Sequence, residues 1–447
     1  MEAQALNSRK PRWLILSAVT VTVGIASGLG GMALGLLLHF MQHVAYGYEL
    51  HSIVSHETFL EGVSAASPVR RLAALCACAT VGGIGWWALY RFGRPLVSIG
   101  KAVRDNGQSM PLLSTICHDL LQIITVALGS PLGREVAPRE LGAALATRLS
   151  DRAGLDAEKR RIMIACGAGA GLAAVYNVPL GGAMFTLEVL LGTLGLSALL
   201  PALTTSVIAA LVAWIGLGNV TQYSLPRLTI SPSLMGWSIA SGPVFGFSAY
   251  WFVRTAGAVR ARAPRNWRLL VWSALAFPAI GLLAIPFPQL LGNGKGVAQE
   301  GFDSDLGLAL AATLFVLKLL VTLGALRAGA AGGLLTPGLA LGGLLGVVLG
   351  GLWNYVWPYV PFGAFALVGS AAFLASSMKM PLTAIVVTLE FTRVGHDFLF
   401  PIALATAGSF SMFYLLSELR LQPTWSVRHE DIPIGSEAAD RREVLVP

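Results

Sequence analysis

Charged residues are scarce in this chain. Asp, Glu, Lys and Arg make up only 12% of its 447 residues, about half of their share in soluble domains, while hydrophobic residues make up 55%. The mean hydropathy is +0.69. This composition excludes a soluble globular fold and predicts a polytopic membrane protein. The 51 glycines suit close contact between membrane helices.

Cysteines and recognisable ligand motifs are few as well. The four cysteines, Cys76, Cys78, Cys117 and Cys166, lie in or beside apolar runs and form no CxxC pair. The apolar segments contain neither a nucleophile motif nor a ligand spacing such as HExxH. We therefore expect no disulfide, no metal site, no other cofactor and no enzymatic activity.

The formal net charge is +8, and the basic residues are concentrated in short segments between apolar runs. Such segments mark the cytoplasmic side of a membrane protein, and this distribution argues against nucleic-acid binding. Three clusters, at residues 9–12, 148–161 and 254–268, are therefore placed in the cytoplasm. The protein is expected in the cell (inner) membrane, with both terminal segments, 1–12 and 428–447, cytoplasmic.

Apolar runs of about 20 residues, the length that a helix needs to cross a bilayer, recur along the chain. Glycine, proline and charge interrupt residues 92–110, where no helix is expected. A transmembrane domain is predicted over 13–427, which leaves too few residues for a soluble C-terminal domain. The runs lie at 13–42, 71–90, 111–129, 196–217, 234–257, 268–291, 307–326 and 398–419.

Two short sequence patterns occur twice, in the same order. The pattern PLxxxxxTLE lies at 179–188 and again at 381–390, 202 residues later, and the glycine-rich stretch before Pro138 has a counterpart before Pro337, 199 residues later. This agreement predicts an internal repeat with halves at about 70–217 and 268–420. Repeats joined to broken helices are typical of membrane transport folds, whose ion sites form where N-termini of half-helices meet.

The stretch GSPLGREVAPRELG, residues 129–142, carries adjacent Arg134 and Glu135 between apolar runs. Glycine followed by proline is typical of the start of a helix, whose free N–H groups and partial positive charge attract anions. These groups bind an anion without a fixed charge that would hold it too tightly. Glu135 is interpreted either as part of such an anion site or as a cap of its own helix.

These patterns resemble the CLC family of chloride channels and chloride/proton exchangers, from about residue 15 to 427. GRE at 133–135 is similar to the family's GREGP signature, and GLLTP at 333–337 to its GxFxP signature. NVPL at 177–180 and KMPL at 379–382 resemble its paired NAPL and RAPL segments. The resemblance implies an all-α polytopic fold, built as an inverted repeat of broken and tilted helices. It also implies a homodimer with one path for chloride or other small anions in each subunit.

The resemblance assigns roles to individual residues. Glu135 falls at the gating glutamate, whose carboxylate occupies the anion path and swings aside or becomes protonated. Several further positions are implied to bind the anion. They are Arg134 and Val136 beside the gate, Leu334 and Leu335 with backbone amides at the central site, and Trp425 where the family has a tyrosine.

The chain departs from the family pattern in several places. Pro138 falls one residue late, and Arg139 and Glu140 add charge where the family is usually neutral. The serine-bearing GSGIP signature is absent, and ungapped counting back from the gate puts Arg94 or Pro95 at its serine. Without that hydroxyl, we expect nitrate and bromide to permeate comparably to chloride.

The inner proton glutamate of the exchangers falls on Val189, which carries no proton. The adjacent Glu188 points about 100° away on a helix, so it does not simply replace that group. Its repeat partner Glu390 indicates that both carboxylates hold the broken helices. We therefore predict channel-like anion movement without tight proton coupling. The alternative is an exchanger with a non-standard inner proton route.

Two functions of other classes stay open on the sequence. A membrane enzyme would use His118, Asp119 and Glu135 for acid–base work, and a non-conducting relative would keep only the fold. His118 and Asp119 themselves are interpreted as a satisfied interfacial pair near the start of their apolar run, with a proton relay as the alternative.

Overall fold

The computed structural model describes residues 12–48, 57–105 and 109–419. These residues are helical apart from turns, connections and one isolated bridge between Gly133 and Gly333, which confirms the all-α prediction. The helices of the first half are α1 Arg12–Tyr46, α2 Phe59–Ala65, α3 Pro68–Phe92, α4 Ile99–Arg104, α5 Leu112–Ala127, α6 Val136–Arg152, α7 Ala157–Tyr176, α8 Pro179–Phe185 and α9 Leu196–Leu217.

In the first half a π-helical turn, Thr186–Leu191, also extends α8. The second half is helical in the same manner, with 3₁₀ turns at Pro288–Leu290 and His396–Phe398. The helices are α10 Pro232–Ala261, α11 Arg268–Leu283, α12 Lys295–Phe302, α13 Leu308–Arg327, α14 Leu335–Trp353, α15 Phe362–Ser377, α16 Pro381–Thr392 and α17 Leu399–Glu418.

Six helical segments of the described chain are long and apolar enough to cross a membrane. Others, such as α8 and α16, are too short to do so, and they are the broken helices that the repeat pattern predicts. One expectation is wrong: residues 92–110 contain helix α4. It forms because the Ser98 hydroxyl accepts a hydrogen bond from the Lys101 backbone N–H and so caps the first turn.

The two halves pack in the same way. In the first half α1 packs on α9, α6 on α7, and α7 on α9; in the second, α10 packs on α17, α14 on α15, and α15 on α17. The chain also leaves α7 and α15 through the left-handed region at equivalent places, with φ of 56° at Asn177 and 54° at Lys379. The repeat seen in the sequence is therefore a repeat of structure, and it extends to α1 and α10.

Contacts between equivalent elements lie where the halves meet. Helix α3 packs on α11, α8 on α16, and Gly133 pairs with Gly333 in antiparallel orientation. An element contacts its own counterpart only close to the axis that relates the two. The Gly133–Gly333 bridge therefore marks the centre of an inverted repeat.

Small residues bring the central helices together. A Cβ added to Gly142 of α6 would lie 2.1 Å from the Gly167 carbonyl oxygen of α7, and one added to Gly342 of α14 would lie 2.5 Å from that of Gly369 in α15. Only glycine permits this backbone contact. It sets the N-termini of α6 and α14 against the centre of the molecule.

Candidate functional site

Both glycine-and-proline stretches end in helix N-termini, as predicted. Helix α6 begins at Val136 and α14 at Leu335. Just before them, the Gly133 N–H donates to the Gly333 carbonyl at 2.8 Å, and the Gly333 N–H donates back at 2.9 Å. This pairing aligns the halves with an offset of 200 residues. The two helices therefore start on either side of one antiparallel pair of glycines.

The Glu135 carboxylate lies at this meeting point and is fully buried. Its Oε1 accepts a hydrogen bond from the Leu335 backbone N–H at 2.8 Å. Its Oε2 accepts from the Tyr176 hydroxyl at 3.2 Å and, at the limit of hydrogen-bond length, from the Thr336 hydroxyl at 3.5 Å. The two hydroxyls lie 2.9 Å apart. All three donors are neutral.

Glu135 does not cap its own helix. Its backbone is already helical, and its side chain makes no cap hydrogen bond to α6. The carboxylate instead caps α14, the equivalent helix of the other half, by binding Leu335, which the sequence singled out as an anion donor. Glu135, the expected gate, and Leu335, an expected donor of the central anion site, are thus in direct contact.

The residues beside Glu135 orient it without neutralising it. Arg134 stacks its guanidinium over the Tyr176 ring, 5.2 Å from the centroid, and donates to the Gln222 side-chain oxygen at 3.4 Å. Arg139 donates from Nε to the Glu135 backbone carbonyl at 2.9 Å and lies over the Phe185 ring. Arg134 therefore contacts the Tyr176 ring and the Gln222 side chain, and Arg139 the Glu135 backbone carbonyl and the Phe185 ring.

Of the other residues expected to bind the anion, some lie at the Glu135 site and others do not. Val136 is the first residue of α6, and Leu334 directly precedes α14, so both sit at the paired helix ends. Trp425 lies outside the described residues. Arg94 and Pro95 are exposed in the extended segment before α4, whereas Ser98 is buried at the start of that helix. Ungapped counting therefore selected exposed residues, and a buried serine follows them.

The carboxylates of the PLxxxxxTLE repeats bind each other's helices. Glu188 accepts hydrogen bonds from the Leu382 and Thr383 backbone N–H groups at the start of α16, at 3.0 and 2.7 Å. Glu390 accepts from the Leu180 and Gly181 N–H groups at the start of α8, at 3.0 and 2.6 Å. The expectation that both carboxylates hold the broken helices is confirmed by these contacts.

Val189 follows Glu188 in the π-helical turn and packs beside the main apolar core. The Val189 side chain has no titratable group. The neighbouring Glu188 carboxylate accepts its hydrogen bonds from the N-terminus of α16.

His118 and Asp119 do not form a satisfied interfacial pair. Both are buried in α5, and His118 lies beside Glu140 of α6, a residue that sequence reasoning noted only as an added charge. Among the described residues, the Asp119 oxygens have no hydrogen-bond donor.

Sequence reasoning also missed Tyr176 and Thr336, which complete the Glu135 site. Tyr176 is the last residue of α7, directly before the NVPL segment, and a hydroxyl at that place was the available signal. Thr336 follows Leu335, but nothing in the sequence indicates that its side chain turns towards Glu135 rather than along its own helix.

The chain matches a family model described as voltage gated chloride channel over residues 81–413. It is 32% identical over 302 residues to the voltage-gated ClC-type chloride channel ClcB of Citrobacter koseri, covering 65% of this chain and 71% of that protein. To ClcB of Salmonella typhimurium it is 28% identical over 387 residues, with coverages of 84% and 90%.

Solved structures share the fold at lower sequence identity. A slow cyanobacterial Cl⁻/H⁺ antiporter superposes with a TM-score of 0.77 at 21% identity, covering 92% of this chain and 96% of that one. A CLC-type fluoride/proton antiporter gives a TM-score of 0.65, also at 21% identity, with coverages of 91% and 96%. The matched folds cover both halves of the inverted repeat.

Proposed function

Because the chain belongs to the voltage gated chloride channel family, we propose that it carries chloride and other small inorganic anions across the membrane along a path gated by Glu135. One observation carries this proposal. A buried carboxylate, itself an anion, is held at the N-terminus of α14 by neutral N–H and O–H donors. Groups that bind a carboxylate in this way also bind a halide.

The gate works by competition. An ionised Glu135 occupies the donors of Leu335, Tyr176 and Thr336, so an incoming anion finds no free N–H or O–H. When the carboxylate becomes protonated or swings aside, these donors are released to the anion. Anion passage therefore depends on the charge of one side chain.

The neutral character of the donors suits rapid passage. A lysine or arginine at this depth would attract an anion strongly in a low dielectric and delay its release. Backbone N–H groups at a helix end offer only a partial positive charge, so the anion enters and also leaves. Tyr176 supplies a phenolic O–H at the site, and we propose that it does the work of the family's tyrosine.

A cavity supports an approach to this site from one side. Val136 and Gly332, which flank the glycine pair, line it together with Arg260 and Arg265. Arg260 also donates to the Gly332 carbonyl oxygen at 3.1 Å. Positive charge at the mouth of a cavity concentrates anions there. We propose that anions enter from this side, which the basic segments assign to the cytoplasm.

The inverted repeat supports that orientation. In an inverted repeat α10 runs opposite to α1, so the end of α10 lies on the side where α1 begins. The arginines at 254–268 lie in the last turns of α10 and just after it, and the basic residues at 9–12 lie just before and at the start of α1. This distribution agrees with a cytoplasmic N-terminus in the inner membrane. A homodimer, with one path in each subunit, belongs to the same proposal.

Movement without tight proton coupling is the mode that we propose. An exchanger needs a proton-carrying group on the inner side of Glu135; Val189 has none, and Glu188 is hydrogen-bonded to α16. The alternative is exchange through another inner route.

Flux from liposomes tests the function and the mode together. Purified protein is reconstituted into vesicles with a chloride gradient, and chloride release and external pH are recorded. We expect chloride release well above that of protein-free vesicles, without sustained uphill proton movement. No release contradicts anion transport and favours a non-conducting relative. Uphill proton movement that Glu135→Ala abolishes establishes the exchanger instead.

A further inference from the structure

Four polar residues of α5 and α6 form a buried cluster next to the cavity through which anions are proposed to enter. His118, Asp119 and Gln122 lie on α5, and Glu140 lies in the second turn of α6. None is more than 4% exposed. One ligand-type atom each from His118, Asp119 and Glu140 lies within 4.8 Å of the others. Ionisable groups inside a membrane protein are costly and demand partners.

The cluster has an excess of negative charge. With a neutral histidine, ionised Asp119 and Glu140 contribute two negative charges. The nearest basic residue in sequence, Arg139, directs Nε to the Glu135 carbonyl and stacks on Phe185, and its single charge is shared between Glu135 and Glu140. One arginine for the three buried carboxylates Glu135, Asp119 and Glu140 leaves negative charge uncompensated, and buried carboxylates without a compensating cation are strongly destabilising.

The cluster also lacks hydrogens. Nδ1 of His118 lies 3.0 Å from Glu140 Oε2 and 3.0 Å from Gln122 Nε2. If Nδ1 bears a hydrogen, two donors face each other at the Gln122 N–H. If Nδ1 bears none, two acceptors face each other at the Glu140 carboxylate. Both Asp119 oxygens and Gln122 Oε1 have no donor among the described residues.

If the Gln122 amide is rotated so that Oε1 and Nε2 exchange places, the conflict disappears, and three ligand atoms come together at distances that fit a metal ion. Its two ends have the same shape, so the rotation puts Oε1 where Nε2 now lies, 3.0 Å from His118 Nδ1 and 3.3 Å from Glu140 Oε2. His118 Nδ1 and Glu140 Oε2 are themselves 3.0 Å apart. Ligands of a tetrahedral Zn²⁺ are separated by about 3.3 Å, given bonds of about 2.0–2.1 Å. The three atoms thus form one face of such a tetrahedron.

We propose that this cluster is a structural site for a divalent transition-metal ion, with Zn²⁺ as its preferred occupant. His118 Nδ1, Gln122 Oε1, Glu140 Oε2 and an Asp119 oxygen are the four ligands. Their mixture of one imidazole and three oxygens, two of them charged, neutralises a divalent ion and suits zinc. The ion joins α5 to the helix whose N-terminus carries Glu135.

The free ring nitrogen agrees with this assignment. His118 Nε2 has no protein partner among the described residues, and His118 lines the cavity that reaches Val136. A histidine that binds metal through one nitrogen keeps its hydrogen on the other, where it is donated to a second partner. The cavity beside His118 leaves room for such a partner.

The test uses the full chain, with any affinity tag removed, purified in detergent without chelators from cells grown with added Zn²⁺. Bound zinc per chain is measured by mass spectrometry after gel filtration. We expect one zinc per chain in the parent and in the control Glu300→Gln, and loss of most of it in Asp119→Asn and Glu140→Gln. Gel filtration shows which variants remain folded.

A measurement on the parent protein keeps the test independent of variant folding. Zinc is stripped with a strong chelator, and the unfolding temperature is followed while Zn²⁺, Co²⁺ or Mg²⁺ is added. We expect a lower temperature after stripping, recovery with Zn²⁺ and not with Mg²⁺, and visible absorption bands of tetrahedral Co²⁺. A folded parent without zinc, or zinc retained equally by Asp119→Asn and Glu140→Gln, overturns the proposal. If the folded parent holds no zinc, protons balance the charge of the cluster. If the two variants retain zinc equally, the bound zinc is an adventitious ion only.

Discussion

Glu135 accepts its shortest hydrogen bond, 2.8 Å, from the backbone N–H of Leu335, the residue that occupies its own position in the second repeat. The two halves supply the same backbone, paired at Gly133 and Gly333, but only one carries a carboxylate. A second carboxylate at Leu335 would face the first at close range, where like charges disfavour joint ionisation. Because of this asymmetry, a single carboxylate lies between the halves, and the N-terminus of α14 binds it.

Replacement of Glu135 by Gln removes the charge at the site. A neutral amide competes for the Leu335 N–H less well than a carboxylate, because charge-assisted hydrogen bonds are about twice as strong as neutral ones. We expect passive chloride flux in liposomes to be preserved or raised, and most of its pH dependence to disappear. Glu300→Gln is the matched control. A folded Glu135→Gln protein that carries less chloride than the parent contradicts the gate assignment.

Tyr176→Phe removes one hydroxyl donor and keeps the ring under Arg134. A hydrogen bond of this kind contributes about 0.5–1.5 kcal/mol, so the chloride concentration for half-maximal flux should rise roughly 2- to 10-fold. Tyr223→Phe is the control, since Tyr223 is also buried and packs its ring against Phe391. Equal kinetics in the two variants would remove Tyr176 from the anion site.

Selectivity among small anions should be shallow. The donors at Glu135 are one N–H and two hydroxyls, which bind nitrate and bromide as readily as chloride. We expect the three ions to permeate within a few-fold of each other when each is loaded into liposomes in turn. Strong preference for chloride over both would indicate a further side chain in the path, and Ser98→Ala then becomes the first variant to measure.

Glu188→Gln and Glu390→Gln each weaken the cap of a broken helix. Loss of the charged acceptor should cost about 1–2 kcal/mol of stability in either variant and lower the unfolding temperature of the detergent-solubilised protein. The backbone contacts of the two carboxylates are equivalent, but Glu188 also accepts a hydrogen bond from the Thr383 hydroxyl at 2.6 Å, so Glu188→Gln should lose more stability than Glu390→Gln. A Glu188→Gln protein of unchanged stability but altered proton movement would instead make Glu188 part of a proton route.

Gly333→Ala tests how closely the halves meet. The added Cβ would lie 1.8 Å from Glu135 Oε1, so the carboxylate has to leave its donors. We expect marked destabilisation when Glu135 is present and much less when Glu135→Ala is combined with it. A thermal-unfolding comparison of the two single variants and the double variant measures this coupling. Additive effects would place the clash elsewhere.

The inverted repeat and the helix starts at its glycine-and-proline stretches were predictable from the sequence, which also singled out Glu135. Low charge and long apolar runs require helices in a membrane, since each backbone N–H and C=O must find a partner within its own segment. The two glycine-and-proline stretches mark helix starts, because proline and glycine act on the local backbone, and the paired PLxxxxxTLE patterns mark the repeat. Local rules therefore sufficed to predict the starts of α6 and α14.

Contacts between residues that are distant in the sequence were decided by the tertiary structure alone. Glu135 binds Leu335 rather than its own helix, Tyr176 and Thr336 turn towards it, and His118 meets Glu140, although these partners lie 22 to 201 residues apart. The place of Ser98 at the start of α4 also could not be read from a fixed distance to Glu135, and the assignment of Arg94 or Pro95 to the anion path stays a prediction. Side-chain direction at a helix end follows from what packs across the axis, and that packing exists only once both halves have folded.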